Sequence, residues 1–326
     1  MQGPGGALQS REPARVSGSG GLIPPTFLEL AAEVQKLNKN KKVRALVSFL
    51  VFASVMVVSL IAIRAVLTKM PVTAALFRQA QTGTLTVSIL FALDGTGLLA
   101  LLIFTKLASI FERKPFGAYG LPLREAFQKT FWCGLAWGFC LASLDIGITY
   151  ALGGFTFDRV ALSGVHILSY GLAWAGAFVI VGLFEEFLYR GYTQHTLGIA
   201  LGFWPAAILL SALFAALHLT NAGESLTGAL DVFIYSLLAC FTLHKTGSLW
   251  FAVGLHAAWD FSLTFLFSVP GSGMHAKGQL LASVLHGPQW LTGGMAGPEG
   301  STIGLALLLI SFPIFARLSP ERKVQC

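Results

Sequence analysis

Apolar residues in this chain run in long unbroken stretches rather than alternating with polar ones. Eight stretches predict spans at roughly 43–68, 83–106, 126–152, 166–191, 203–220, 227–245, 248–269 and 301–318. A helix needs about 20 apolar residues to cross the hydrocarbon core. Only helices and closed barrels satisfy their backbone polar groups in lipid, so continuous runs without a two-residue period predict helices. The expected fold class is all-α, a polytopic membrane protein with about eight transmembrane helices.

The ends of the chain read differently. Residues 1–25 are rich in Gly, Pro and Ser with no hydrophobic period, which predicts a disordered tail too polar for a cleaved signal peptide. Residues 26–42 form an amphipathic, basic juxtamembrane segment. In it Phe27, Leu30, Ala31, Val34 and Leu37 recur at helical spacing behind Thr26, a candidate N-cap after Pro25. The membrane domain is then expected over 43–320. Lys36, Lys39, Lys41, Lys42 and Arg44 precede the first span, and alternation puts Lys106, Arg113, Lys114, Arg124, Lys245 and Arg317 on the same side. The positive-inside bias makes that side, and the N-terminus, cytoplasmic. The segment 270–300, rich in Gly and Pro, falls outside. There is no internal repeat to suggest an inverted-repeat transporter.

Composition sharpens this picture. Charged residues make up 11% of the chain against about 25% in soluble domains, and 55% is hydrophobic. The net charge of +7 is carried mostly at helix ends and in the N-terminal part, so anionic headgroups are the expected partner and nucleic acid is not. Cys133, Cys140, Cys240 and Cys326 make no CxxC pair, which points to free thiols rather than a disulfide scaffold or zinc ribbon.

Against this apolar ground a few charges stand out, because an ionisable residue inside a span is costly and usually faces a cavity or the bundle interior. The fourth span carries Glu185, Glu186 and Arg190, the fifth Phe214 and His218, the seventh His256 and Asp260. Glu186 and Arg190 are four apart and share a helix face, so they can pair; Glu185 points about 100° away and can face a cavity. His256 and Asp260 are also four apart, so the aspartate can orient the imidazole. Taken singly, the Glu186–Arg190 pair reads equally well as a structural ion pair, and His218 or His256 as a core histidine. Together they suit acid–base chemistry on a water in a polar catalytic cavity enclosed by the helices.

Other polar residues carry less. Asp94, Asp145 and Asp231 are single acids that can line a cavity, and Glu224 suits a helix start. His166, His195, His244, His275 and His286 fall at interface or solvent positions. Trp204, Trp250 and Trp290 fit interfacial anchors, and Gly134 with Gly138 is a weak helix-packing signal.

The motifs EEFLYR at 185–190, FAALH at 214–218 and HAAWD at 256–260 resemble the EExxxR, FxxxH and HxxxN/D motifs of the CPBP (Abi, CAAX-endopeptidase) intramembrane proteases. The resemblance covers roughly 110–270, and FERKPFGAYGLPLR looks like the loop before that family's core helices. It implies a glutamic endopeptidase without cofactor or metal, acting on a membrane-associated or prenylated, CAAX-like peptide. Glu185 would be the general base, His218 would help hold the water, and Glu186 with Arg190 would fix the motif helix. His256 and residue 260 would stabilise the oxyanion. The CAAX branch has asparagine where this chain has Asp260; an amide donates to an oxyanion, whereas an ionised carboxylate repels it. Counting from a cytoplasmic N-terminus, the cavity is expected to open to the cytoplasm. Two other readings stay open: a metal-dependent membrane peptidase, and a non-catalytic scaffold or immunity protein of the same family. Absence of HExxH and the presence of Arg190 weigh against the metal.

Overall fold

A computed structural model describes residues 40–318. The expected disordered tail and nearly all of the amphipathic segment, with Thr26, lie outside the described residues, as does Cys326.

The helices are α1 (Lys41–Lys69), α2 (Pro71–Gln81), α3 (Val87–Glu112, with a π-helical turn at Phe91–Gly95) and α4 (Lys129–Ala151). They continue with α5 (Val165–Arg190), α6 (Tyr192–Leu201), α7 (Phe203–His218), α8 (Leu226–Thr246), α9 (Trp250–Phe261, extended by a π-helical turn Ser262–Leu266) and α10 (Thr302–Leu318). A helix stands at each of the eight predicted spans. Among the described residues five segments are long and apolar enough to cross a membrane: Lys41–Lys69, Val87–Glu112, Lys129–Ala151, Val165–Leu201 and Leu226–Thr246; α7 and α10 are shorter apolar helices. The chain is an all-α membrane protein. Among the described residues strands are confined to two small pairs, β1 (Thr84–Leu85) parallel to β3 (His275–Ala276), and β2 (Phe155–Val160) antiparallel to β4 (Leu281–Leu285).

The helices use their apolar residues in two ways. α1 leaves Val47, Leu50, Val51, Val57, Val58 and Ile61 exposed, a surface that only lipid can cover. α9 buries every residue from Trp250 to Trp259 between its neighbours. It comes close to α4 because both helices offer glycine. A Cβ on Gly134 would sit 2.0 Å from the Phe251 carbonyl oxygen, and one on Gly138 2.2 Å from that of Leu255. Gly254 returns the fit, 2.2 Å from the Phe131 carbonyl oxygen. Small residues at such crossings let backbones touch and gain dispersion contact that bulkier side chains would block. The sequence signal at Gly134 and Gly138 therefore marks the packing that fixes α9.

Two connections cap the bundle at one face. The Leu249 amide donates to the Gly120 carbonyl at 2.7 Å, joining the segment before α4 to the α8–α9 turn. At that face Glu112 accepts from Tyr192 at 2.5 Å and pairs with Lys114 at 2.9 Å, and the Lys114 Nζ lies 3.1 Å from His195 Nε2. His195 is thus a packed, half-buried group rather than the interface or solvent histidine expected. Trp250 is also corrected. It is only 3% exposed and donates to the Pro122 carbonyl at 3.0 Å, because the close α4–α9 approach draws the start of α9 inward. The 219–225 and 268–300 connections gather at the opposite ends of α7 and α9, where Asn221 donates to the Ser272 carbonyl at 2.9 Å.

Candidate active site

α5, α7, α8 and α9 bring the candidate residues together. Glu186 is fully buried on the α5 face turned toward α8 and α9. Its Oε1 accepts from His256 Nδ1 at 2.9 Å and from the Tyr235 hydroxyl at 3.0 Å, and lies 3.4 Å from Arg190 Nη1. Arg190 in turn donates through Nη2 to Ser236, whose hydroxyl donates to Ser211 at 2.6 Å, and its guanidinium lies 4.7 Å from the Phe214 ring centroid. The pair at 186 and 190 is thereby a junction of α5 with α7, α8 and α9. A buried charge pair of this kind is tolerable only when further hydrogen bonds occupy its remaining donors and acceptors.

Glu185, one residue earlier, faces another way. Its carboxylate is 23% exposed and lines a cavity of about 190 Å³ with His218, His256, Asp260 and Asp94. His256 Nε2 lies 3.6 Å from Glu185 Oε2 and 3.5 Å from Asp260 Oδ2. Both exceed a good hydrogen bond, so this nitrogen is flanked by two carboxylates and committed to neither. Its Nδ1 faces the carboxylate of Glu186, an acceptor only, and must carry the proton there. The contact that fixes the imidazole is therefore with Glu186 rather than with Asp260, as the four-residue spacing suggested. Helix crossing rather than local periodicity decided this. His218 Nδ1 donates to the Phe214 carbonyl at 2.9 Å, which leaves Nε2 as an acceptor.

The six candidates lie within one constellation, and several partners were not legible. Tyr235, Ser211 and Ser236 complete the Glu186–Arg190 junction, and nothing in their sequence context distinguishes them from ordinary span residues. Asp94, which was read as a lone acid, enters the cavity from the π-helical turn of α3. Asn221, Gly271, Ser272 and Met274 supply a wall from the two connections. These connections lie at the face opposite Leu249 and Gly120, so the wall does not lie on the basic face toward which the cavity was expected to open. Asp145 and Asp231 approach Gly304 outside this cavity, and Asp231 also lines a small adjoining pocket with His218, His256 and Asp260. Outside the spans, burial first, and then the neighbouring Asp260 carboxyl, hold Glu299 above the usual carboxylate range. Burial likewise raises Glu224, which accepts from the Ser225 amide at 2.8 Å just before α8.

Among the described residues no three His, Cys, Asp or Glu side chains are grouped as a metal ion would require. Glu186 is moreover engaged by Arg190, Tyr235 and His256.

With this geometry in place, comparison with known proteins is informative. Residues 167–262 match the family model described as type II CAAX prenyl endopeptidase Rce1-like. All six candidates fall inside that segment. Over that segment the chain is similar to the CPBP family named by its motifs. The membrane-length apolar helices make the chain an integral membrane protein. No curated protein and no solved structure matched the chain. The matched segment is narrower than the 110–270 of the motif resemblance and leaves Asp94 and the 271–274 wall outside it.

Proposed function

We propose that this protein is a CPBP-type glutamic endopeptidase in which Glu185 activates a water to cut a membrane-associated or prenylated, CAAX-like peptide. The observation that carries this reading is the division between adjacent carboxylates: Glu186 is fully buried with three partners on one oxygen, while Glu185 opens onto a cavity shared with His218, His256 and Asp260.

In this reading the Glu185 carboxylate takes a proton from water, and the resulting hydroxide adds to the peptide carbonyl carbon. The His218 Nε2 lone pair accepts the water's second hydrogen and aims it. The tetrahedral oxyanion is met by His256, which as imidazolium donates from Nε2 while Nδ1 stays bonded to Glu186. Glu186 and Arg190 hold the imidazole and the helix in place, and Asp260 assists from beside Nε2. As the C–N bond breaks, the proton held by Glu185 passes to the leaving amine. The distribution of basic residues supports a cytoplasmic N-terminus.

Reconstituted protein with Glu185→Gln tests the reading. Loss of peptide cleavage with the fold intact supports it, and full activity sinks it.

A further inference from the structure

We propose that Glu299 is a positioning residue that pins the 271–274 wall of the cavity to α9 and thereby sets which side chain fits beside the cleaved bond. The inference rests on the protease reading above.

Glu299 lies beyond the matched segment, between the cavity wall and α10, and is 8% exposed. Its Oε1 accepts from Trp259 Nε1 at 2.9 Å, on the residue next to Asp260. Its Oε2 accepts from the Ser272 hydroxyl at 2.7 Å and also from the Ser272 amide. Three donors thus converge on one carboxylate, two from the wall and one from α9. Ser272 itself holds φ 44°, in the left-handed region that non-glycine residues avoid, so its neighbours must impose that conformation. Glu299 holds its amide and hydroxyl, and Asn221 donates to its carbonyl at 2.9 Å.

The surrounding backbone leaves no slack. A Cβ on Gly223 would lie 2.6 Å from the Gly273 carbonyl oxygen, and one on Gly297 2.0 Å from that of Pro270. The two connections, and the two ends of the longer one, are therefore stacked backbone on backbone. Their cavity-facing members, Gly271, Ser272 and Met274, stand across from Glu185. A wall fixed in this way limits the room next to the reacting carbonyl. An amide in place of the Glu299 carboxylate turns one acceptor into a donor, and either Trp259 or Ser272 then faces a clash of donors.

The test uses full-length protein in lipid nanodiscs and a peptide series whose residue after the cleaved bond runs from Ala to Phe. Hydrogen exchange at 268–276 is followed in parallel. Glu299→Gln is expected to shift the Phe-to-Ala ratio of kcat/KM about 10-fold and to speed exchange of the wall by a similar factor. Ser272→Ala, which removes only the hydroxyl, should shift both about 3-fold. A uniform drop in kcat with the ratio and the exchange unchanged overturns the proposal. Where Glu299→Gln fails to fold, Ser272→Ala decides by the same criteria. If the wild type cleaves no peptide, the protease reading falls, while exchange still judges the pin: unchanged protection in the variants overturns it.

Discussion

Glu185 and Glu186 are adjacent in sequence and occupy opposite environments. Around Glu186 the molecule is closed to solvent: an arginine, a tyrosine and a histidine from three other turns or helices converge on one carboxylate oxygen. In front of Glu185 lies a cavity with two imidazoles, one of which keeps a free acceptor nitrogen. One residue of helical rotation separates a carboxylate held in an ion pair from one that lines a cavity. The same helix can therefore carry both, provided that its neighbours are packed closely enough to tell the faces apart.

The sharpest way to break the comparison is to remove each charge. Glu185→Gln should lower kcat about 10²–10⁴-fold, since it removes the proposed base, and leave thermal stability unchanged. Equal loss of stability would place Glu185 in the same class as its neighbour. Glu186→Ala should instead destabilise the fold by about 3–5 kcal/mol, because Arg190 is left buried and uncompensated. A reversible unfolding titration in mixed micelles reads this. Adding Arg190→Ala to that variant should cost less than the sum of the two single changes, as expected for groups in one network.

A smaller effect is expected where packing, rather than charge, holds the two environments apart. Leu at Gly138 would drive into the Leu255 carbonyl and push α9 from α4, at a cost of about 1–3 kcal/mol. Activity should fall further than stability explains, because His256 rides on α9. The mildest change is Asp260→Asn. It replaces an acceptor with a group that can donate to an oxyanion, and kcat/KM should move by less than ~10-fold, about 1.4 kcal/mol. A loss as deep as that of Glu185→Gln would make Asp260 the base and reverse the assignment.

Much of the site was legible in the chain because its signals are local. Three motifs on three spans named Glu185, Glu186, Arg190, His218, His256 and Asp260, and four-residue spacing anticipated the Glu186–Arg190 contact observed at 3.4 Å. Spacing also suggested that Asp260 would orient His256, and there it fell short. The i,i+4 rule governs one helix surface, while the bond to Nδ1 comes from α5, across a helix crossing. Trp250 misled for a related reason: an aromatic near a span end suits the interface until a neighbouring helix closes over it. Tyr235, Ser236 and Ser211 carried no periodic or motif signal at all.

Sequence alone determined that the chain is helical and membrane-bound, where its apolar segments run, and which charges are too costly to be incidental. Those conclusions follow from transfer energies and helical geometry, which depend on near neighbours. Only the tertiary structure decided which partner holds His256, and that Asn221 and 271–274 wall the cavity. Each of these depends on residues distant in sequence, brought into contact by glycine-mediated helix crossings and by connections folded back over helix ends. No local pattern encodes such contacts.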